Sequence, residues 1–127
     1  MKRQNLEFLL GWLDALRRGD DEAVRHALDP DAVWQAVDPE FCCHGATEIR
    51  DTFVAARDAG VDVDSIELIG APRHAILHAR WPEIVESGAD FLDDVYNVFE
   101  IDDGLVTRID DFVERSAALA AAGLQQG

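Results

Sequence analysis

The sequence predicts an α+β domain. Three observations carry this: helical periodicity before Gly60, a change to a period of two after it, and a tight hairpin that closes the chain. The hairpin is the clearest stretch. Val95, Asn97, Phe99 and Ile101 alternate with Tyr96, Val98 and Glu100, as a strand requires of residues on opposite faces. Asp103-Gly104 supplies the turn, since Gly takes positive φ at no steric cost and Asp tolerates the neighbouring position. On the return strand Leu105, Thr107, Ile109, Asp111 and Val113 fall on one face, and Val106, Arg108, Asp110 and Phe112 on the other. An aspartate on the face that carries Ile109 and Val113 is the first chemical clue.

From the N-terminus, residues 5 to 18 place Leu6, Leu9, Leu10, Leu13 and Leu16 at helical spacing, with Phe8 and Trp12 widening the stripe. Gly19 ends this core helix. Asp20 can cap a second, short helix whose acidic first turn, Asp21-Glu22, complements the helix dipole; Val24, Ala27 and Leu28 form its buried side and Asp29-Pro30 stops it. Ala32 to Val37 reads as a short strand ending at Asp38-Pro39. After a loop at Phe41 to Gly45, a third helix runs from Ala46 to Ala59, with Ile49, Phe53 and Ala56 on one side and Gly60 as its stop. Val61 to Ile69 and Arg73 to Trp81 are strands around Gly70-Ala71-Pro72, and Pro82 to Asp90 is a loop. From Ser116 the chain is Ala-rich, one or two helical turns that then fray. Residues 1–127 thus form a single domain, with 115–127 as its tail. Helices segregated on a mostly antiparallel sheet leave a partly apolar interior, and a pocket is the expected by-product.

A chain of 127 residues with 48% hydrophobic content has enough apolar material for one core. The formal net charge of -15 argues against nucleic acid and anionic membrane surfaces, because the eleven Lys and Arg are scattered rather than striped. It points to a neutral or cationic ligand, or simply to a solvated surface. Glu7 and Asp14 break the apolar run that would make a signal peptide, and the adjacent Cys42 and Cys43 suit no structural disulfide, so a cytoplasmic location is expected.

Four motifs in order carry a family resemblance: Leu16-Arg17-Arg18-Gly19-Asp20, Leu28-Asp29-Pro30-Asp31-Ala32-Val33-Trp34, His44-Gly45-Ala46-Thr47-Glu48-Ile49-Arg50, and Phe99-Glu100-Ile101-Asp102-Asp103-Gly104-Leu105-Val106. Together they resemble the NTF2-like superfamily, in particular its SnoaL-like branch, over nearly the whole chain. The resemblance implies a cone of three helices on a strongly bent sheet, often paired as a homodimer through the outer sheet face. It also implies site positions. Trp12 falls where ketosteroid isomerases carry a hydrogen-bonding Tyr, Asn97 where they carry a protonated Asp, and their general base lands on Ala36 or Asp38. In SnoaL-like polyketide cyclases a His and an Asp match Asn97 and Asp111, so the carboxylate is kept and the His is not. The Arg-x-Asp element of limonene-type epoxide hydrolases has no match between Phe91 and Ile101.

Asp111 is the leading candidate for an acid or base, because a carboxylate facing an apolar interior is costly when charged and its pKa rises. Asn97 is expected to donate a hydrogen bond to an enolate-like oxygen. Asp38 is a second carboxylate, with turn formation as its alternative duty. His78 would replace the missing cyclase His if its face turned inward; the greater polarity of the face with His74, Ile76, His78 and Arg80 favours solvent. Trp12, Trp34, Phe53 and Phe99 are core or pocket walls, joined by Ile109 and Val113. No metal is expected, since His74 and His78 lie roughly 13 Å apart along a strand and Cys42, Cys43 and His44 diverge. The expected function is cofactor-independent proton-transfer chemistry, of isomerase, cyclase or dehydratase type, on a small hydrophobic molecule. The alternative is a non-catalytic ligand-binding or dimerisation module on the same fold.

Overall fold

The computed structural model describes residues 2–58, 67–80 and 94–124. Its elements are α1 (Lys2–Arg18), α2 (Asp21–His26), β1 (Leu28–Gln35), β2 (Cys42–His44), α3 (Ala46–Asp58), β3 (Glu67–Ala71), β4 (His74–Arg80), β5 (Asp94–Asp102), β6 (Leu105–Phe112) and α4 (Arg115–Ala121). The strands form one sheet in the order β2-β1-β6-β5-β4-β3. Every neighbouring pair is antiparallel except β1 and β6, which run parallel. This is the α+β architecture expected from the change of period.

The inner face of the sheet is covered by the N-terminal helices. Leu9, Leu13 and Leu16 of α1 and Ile49 and Phe53 of α3 meet Ala75, Leu77, Phe99 and Ile109 from the strands. Each large side chain so buried contributes ~1.5–3 kcal/mol. At the C-terminal end of α1, where helix carbonyls lack partners, Arg57 Nη1 donates to Leu16 O at 2.8 Å and to Asp21 Oδ1 at 2.8 Å, clasping α1, α2 and α3 together. The outer face has its own core: Ile76, Tyr96 and Val98 pack against Ala118, Leu119 and Ala122, so α4 covers the sheet from the other side. The Ala-rich tail forms the expected short helix, but it is also part of the packing.

Local chemistry explains where the elements depart from expectation. Leu28 is not the end of α2 but the start of β1: it pairs with Val106, and Val106 N donates to Ala27 O at 2.9 Å, so strand pairing overrides helical continuation. Pro30 is tolerated because the β1–β6 register shifts between Leu28 and Val33. Cys42 to His44 is an edge strand rather than a loop. Gly45 follows it at φ 93°, a conformation that lets its N–H reach Ala32 O at 2.7 Å and starts α3. Asp103 (φ 53°) and Gly104 (φ 78°) are both left-handed, as a type I′ hairpin turn requires.

A β-bulge next to this turn revises the faces of β6. Glu100 pairs with Arg108 but Ile101 pairs with Val106, so one extra residue, Thr107, is accommodated between them. Val106 therefore turns into the inner core with Ile101, while Thr107 turns outward and its hydroxyl meets Glu100 Oε1 at 2.7 Å. Leu105 and Thr107 do not share the face of Ile109 and Asp111. The expected stop at Gly60, the strand start at Val61, Trp81, the loop Pro82 to Asp90 and the end of the tail lie outside the described residues.

Candidate active site

Two rows of side chains cross the inner face. Ala75, Phe99 and Ile109 stand opposite one another, with Trp34 of β1 beside Ile109 and Cys43 of β2 beside Trp34. The next row is Leu68, Leu77, Asn97 and Asp111. Asn97 and Asp111 are direct cross-strand partners, and the Asn97 amide donates from Nδ2 to Asp111 Oδ1 at 2.5 Å. From the parallel neighbour, Trp34 Nε1 donates to the same oxygen at 2.8 Å. The β5–β6 hairpin and the sequence-distant β1 thus converge on one carboxyl group.

Burial pushes the Asp111 carboxyl up to about 6, an effect that the hydrogen bonds from Trp34 and Asn97 partly oppose and the neighbouring Asp110 charge reinforces. Such a group exchanges a proton near neutral pH, the property an acid–base catalyst needs. Asn97 is fully buried, and its Oδ1 has no hydrogen-bond partner among the described residues. A buried acceptor left unpaired costs about 1–3 kcal/mol, so a donor brought by a ligand would be favourable there. One amide hydrogen of Asn97 serves Asp111, and the unpaired Oδ1 is an acceptor.

Trp34 joins the pair to an aromatic cluster on the inner face. Trp34 stacks on Phe53 with centroids 4.4 Å apart and planes 13° from parallel, while Trp12 meets Phe53 edge-on at 4.9 Å and Phe99 at 5.3 Å. Phe99 and Ile109 are completely buried beneath them. Trp12 offers no hydrogen bond to the site, because its indole N–H donates to Val24 O at 3.0 Å. It is a wall of the core.

Three of the expected site residues stand elsewhere. Val113 lies beyond the end of β6 and is 39% exposed, so it does not line the interior. Asp38 is exposed in the β1–β2 connection, where its Oδ1 accepts from Glu40 N at 2.9 Å and its carbonyl from Phe41 N at 3.0 Å; it is a turn former. His78 points to the outer face, since its neighbour Leu77 pairs with Asn97 while His78 pairs with Tyr96. There its ring stacks on Tyr96 at 4.2 Å and its Nδ1 lies 3.7 Å from Glu67 Oε1. No group of three or more potential metal ligands occurs among the described residues.

A cleft of about 400 Å³ lies away from Asp111, between the end of α2 and the start of α3, lined by Arg25, His26, His44 and Thr47 among others. Its lining shares no residue with the Asp111 site. What sequence reasoning missed is the hydrogen bond from Trp34. The available signal was that a buried indole N–H needs an acceptor, but the parallel pairing that aims it has no local signature.

A helix-covered sheet with the Asp111 carboxyl part-buried beside Trp34 on its inner face defines a domain of the α+β class. By sequence the chain belongs to the SnoaL-like domain family, whose model matches residues 9–109. Among curated proteins no sequence matches. Solved structures agree on the fold. An NTF2-like protein from Burkholderia xenovorans LB400 superposes with a TM-score of 0.65 at 14% identity, over 96% of this chain and 97% of that one. An LEH-like epoxide hydrolase of M. tuberculosis gives 0.62 at 18% identity, over 95% and 92%. A candidate polyketide cyclase from Sinorhizobium meliloti gives 0.56 at 22% identity, over 84% and 94%. Among the described residues no helix is long and apolar enough to cross a membrane.

Proposed function

We propose that this domain is a cofactor-independent acid–base catalyst acting on a small, hydrophobic, uncharged molecule. The observation that carries the reading is the Asp111 carboxyl, held at one oxygen by two donors and raised to about 6 by burial on the aromatic inner face. In this reading Asp111 accepts a proton from a carbon next to a carbonyl and returns it at another position, the step common to isomerisation and aldol-type cyclisation. Asn97 Oδ1 accepts a hydroxyl or N–H of the ligand. Phe53, Phe99 and Ile109, almost fully buried in the core, are the apolar backing of the site. The structural neighbours include an epoxide hydrolase and a candidate cyclase, which suits this range of chemistry without selecting within it. A cytoplasmic location and pairing through the outer sheet face belong to the same reading; Cys42 and Cys43 as free thiols support the former.

The test is solvent exchange. A panel of apolar ketones with acidic C–H bonds is incubated with the protein in D2O and followed by NMR. Loss of a C–H signal that rises with pH through about 6, and falls at least ~100-fold in Asp111→Asn, is the expected result. A second reading, a non-catalytic binding or dimerisation module, is favoured by the close mutual packing of Trp12, Trp34, Phe53 and Phe99. Tight ligand binding with no exchange in any ketone, equal in wild type and Asp111→Asn, would select it.

A further inference from the structure

We propose that Trp34 is the positioning residue of Asp111: with Asn97 it occupies Oδ1, so that the exchangeable proton of the carboxyl resides on Oδ2. The inference deepens the acid–base reading above and rests on it for its catalytic meaning, although the position of the proton can be tested without turnover. A carboxylate oxygen has two lone pairs for in-plane donors. At Asp111 Oδ1 two donors are already present, the indole N–H at 2.8 Å and the Asn97 amide at 2.5 Å. A proton arriving on Oδ1 would have to displace one of them, whereas a proton on Oδ2 displaces neither. The two oxygens are therefore inequivalent by construction.

What makes Trp34 the fixed member is its support. Its backbone is paired on both sides, with Cys43 in β2 and Ile109 in β6, and its ring lies flat on Phe53 at 4.4 Å. Strand pairing and ring stacking both hold the indole N–H in place. A rotation of Asp111 about its last bond would exchange Oδ1 for Oδ2 and give the same arrangement, so the donors define a position in space, and whichever oxygen leaves it carries the proton. Among the described residues the titratable groups that act on Asp111 or feel it are Asp110, whose charge raises its pKa, and the Cys43 thiol, itself pushed up by burial. The thiol stays neutral while Asp111 titrates, and the hydrogen bond from Trp34 opposes the rise by favouring the charged form.

Two measurements on the full chain test this. In wild type, the Trp34 indole N–H proton should shift in NMR with the same midpoint as the Asp111 side-chain carbon, and the inflection should vanish in Asp111→Asn. The Trp12 indole, bound to Val24 O, serves as the control that does not follow. In Trp34→Phe, which keeps a ring for Phe53 but removes the donor, the Asp111 midpoint should move up by about one pH unit. Any exchange activity should show the same displacement in its pH profile. An indole resonance indifferent to Asp111, or an unmoved midpoint in Trp34→Phe, overturns the proposal, and the first needs no variant to fold. If titration is coupled but no ketone exchanges, Trp34 still positions the proton while the catalytic reading falls. If exchange proceeds and Trp34→Phe has the wild-type profile, the reverse holds.

Discussion

The chemistry of the site is concentrated in one residue whose two protonation states differ in cost. Asp111 has its folded value raised from 3.8 to about 6, so the carboxyl contributes its full share of stability below about pH 4 and loses it as pH rises through about 6. A displacement of roughly two pH units corresponds to on the order of 3 kcal/mol. Asp111→Asn removes the ionisation and still offers an oxygen to Trp34 and Asn97. We expect the variant to gain little at pH 4 and up to about 3 kcal/mol over wild type at pH 8, read from urea unfolding. Parallel stability profiles for the two proteins would show that the carboxyl is not destabilised by burial. A residue that weakens the fold when charged is what an acid–base site requires, since strain kept at one position is compensated elsewhere. The sequence exposed Asp111 and Asn97 because alternation put a polar residue where its neighbours were apolar; their direct pairing depends on the bulge at Thr107, since the I′ turn alone would set Asn97 opposite Asp110. It misplaced His78 only in allowing either face. The polarity of its own row already spoke for the outer one. Val113 was misjudged for a different reason: alternation gives the face, but not where the strand ends.

At the scale of elements, local patterns located the helices and the β5–β6 hairpin, because each is decided by residues within a few positions of one another. The parallel alliance of β1 with β6 and the edge strand β2 were not legible. Both depend on partners far along the chain, and Leu28 shows the consequence, its expected place on the buried side of a helix giving way to a strand partner. The bulge at Thr107 is similar in kind. Period-two reading assumes an unbroken ladder, and one extra residue exchanged the faces of everything between it and the turn. The clasp made by Arg57 gives an element-scale prediction. It donates from the end of α3 to the last turn of α1 and the first turn of α2, and its side chain remains 21% exposed. Arg57→Ala should lower stability by about 1–2 kcal/mol, with hydrogen exchange quickening in α1 and α2 before the strands. Arg57→Lys should recover only part of it, because an ammonium does not reproduce the planar fork. Uniform loss of protection across the sheet would show that Arg57 acts on global stability and not on this joint.

On the scale of the whole molecule the sheet is a partition between two cores, and only the inner one contains the site. The outer core depends on the last helix. Ala118 and Ala122 are almost fully buried against Ile76, Tyr96 and Val98, and Leu119 is 9% exposed. Burial of one Leu and two Ala side chains amounts to roughly 3–5 kcal/mol by area, a large fraction of the stability of a domain this size. A chain ending at Glu114 should therefore melt well below the full-length protein. It should also expose a strip of apolar sheet whose flanks, His74, Glu100 and Arg108, are polar. Such a strip has two outlets. If copies of this chain pair through the outer face, the truncated protein should elute from a sizing column as a different oligomer from the full chain, since α4 occupies the centre of that face. If they do not, the strip should bind a hydrophobic dye and promote irregular association. In both cases the Trp34 indole should keep its chemical shift and its titration with Asp111, because the inner core does not include α4. Loss of that titration on truncation would mean that the two faces are coupled through the sheet, and that the site depends on the tail as well as on the strands that carry it.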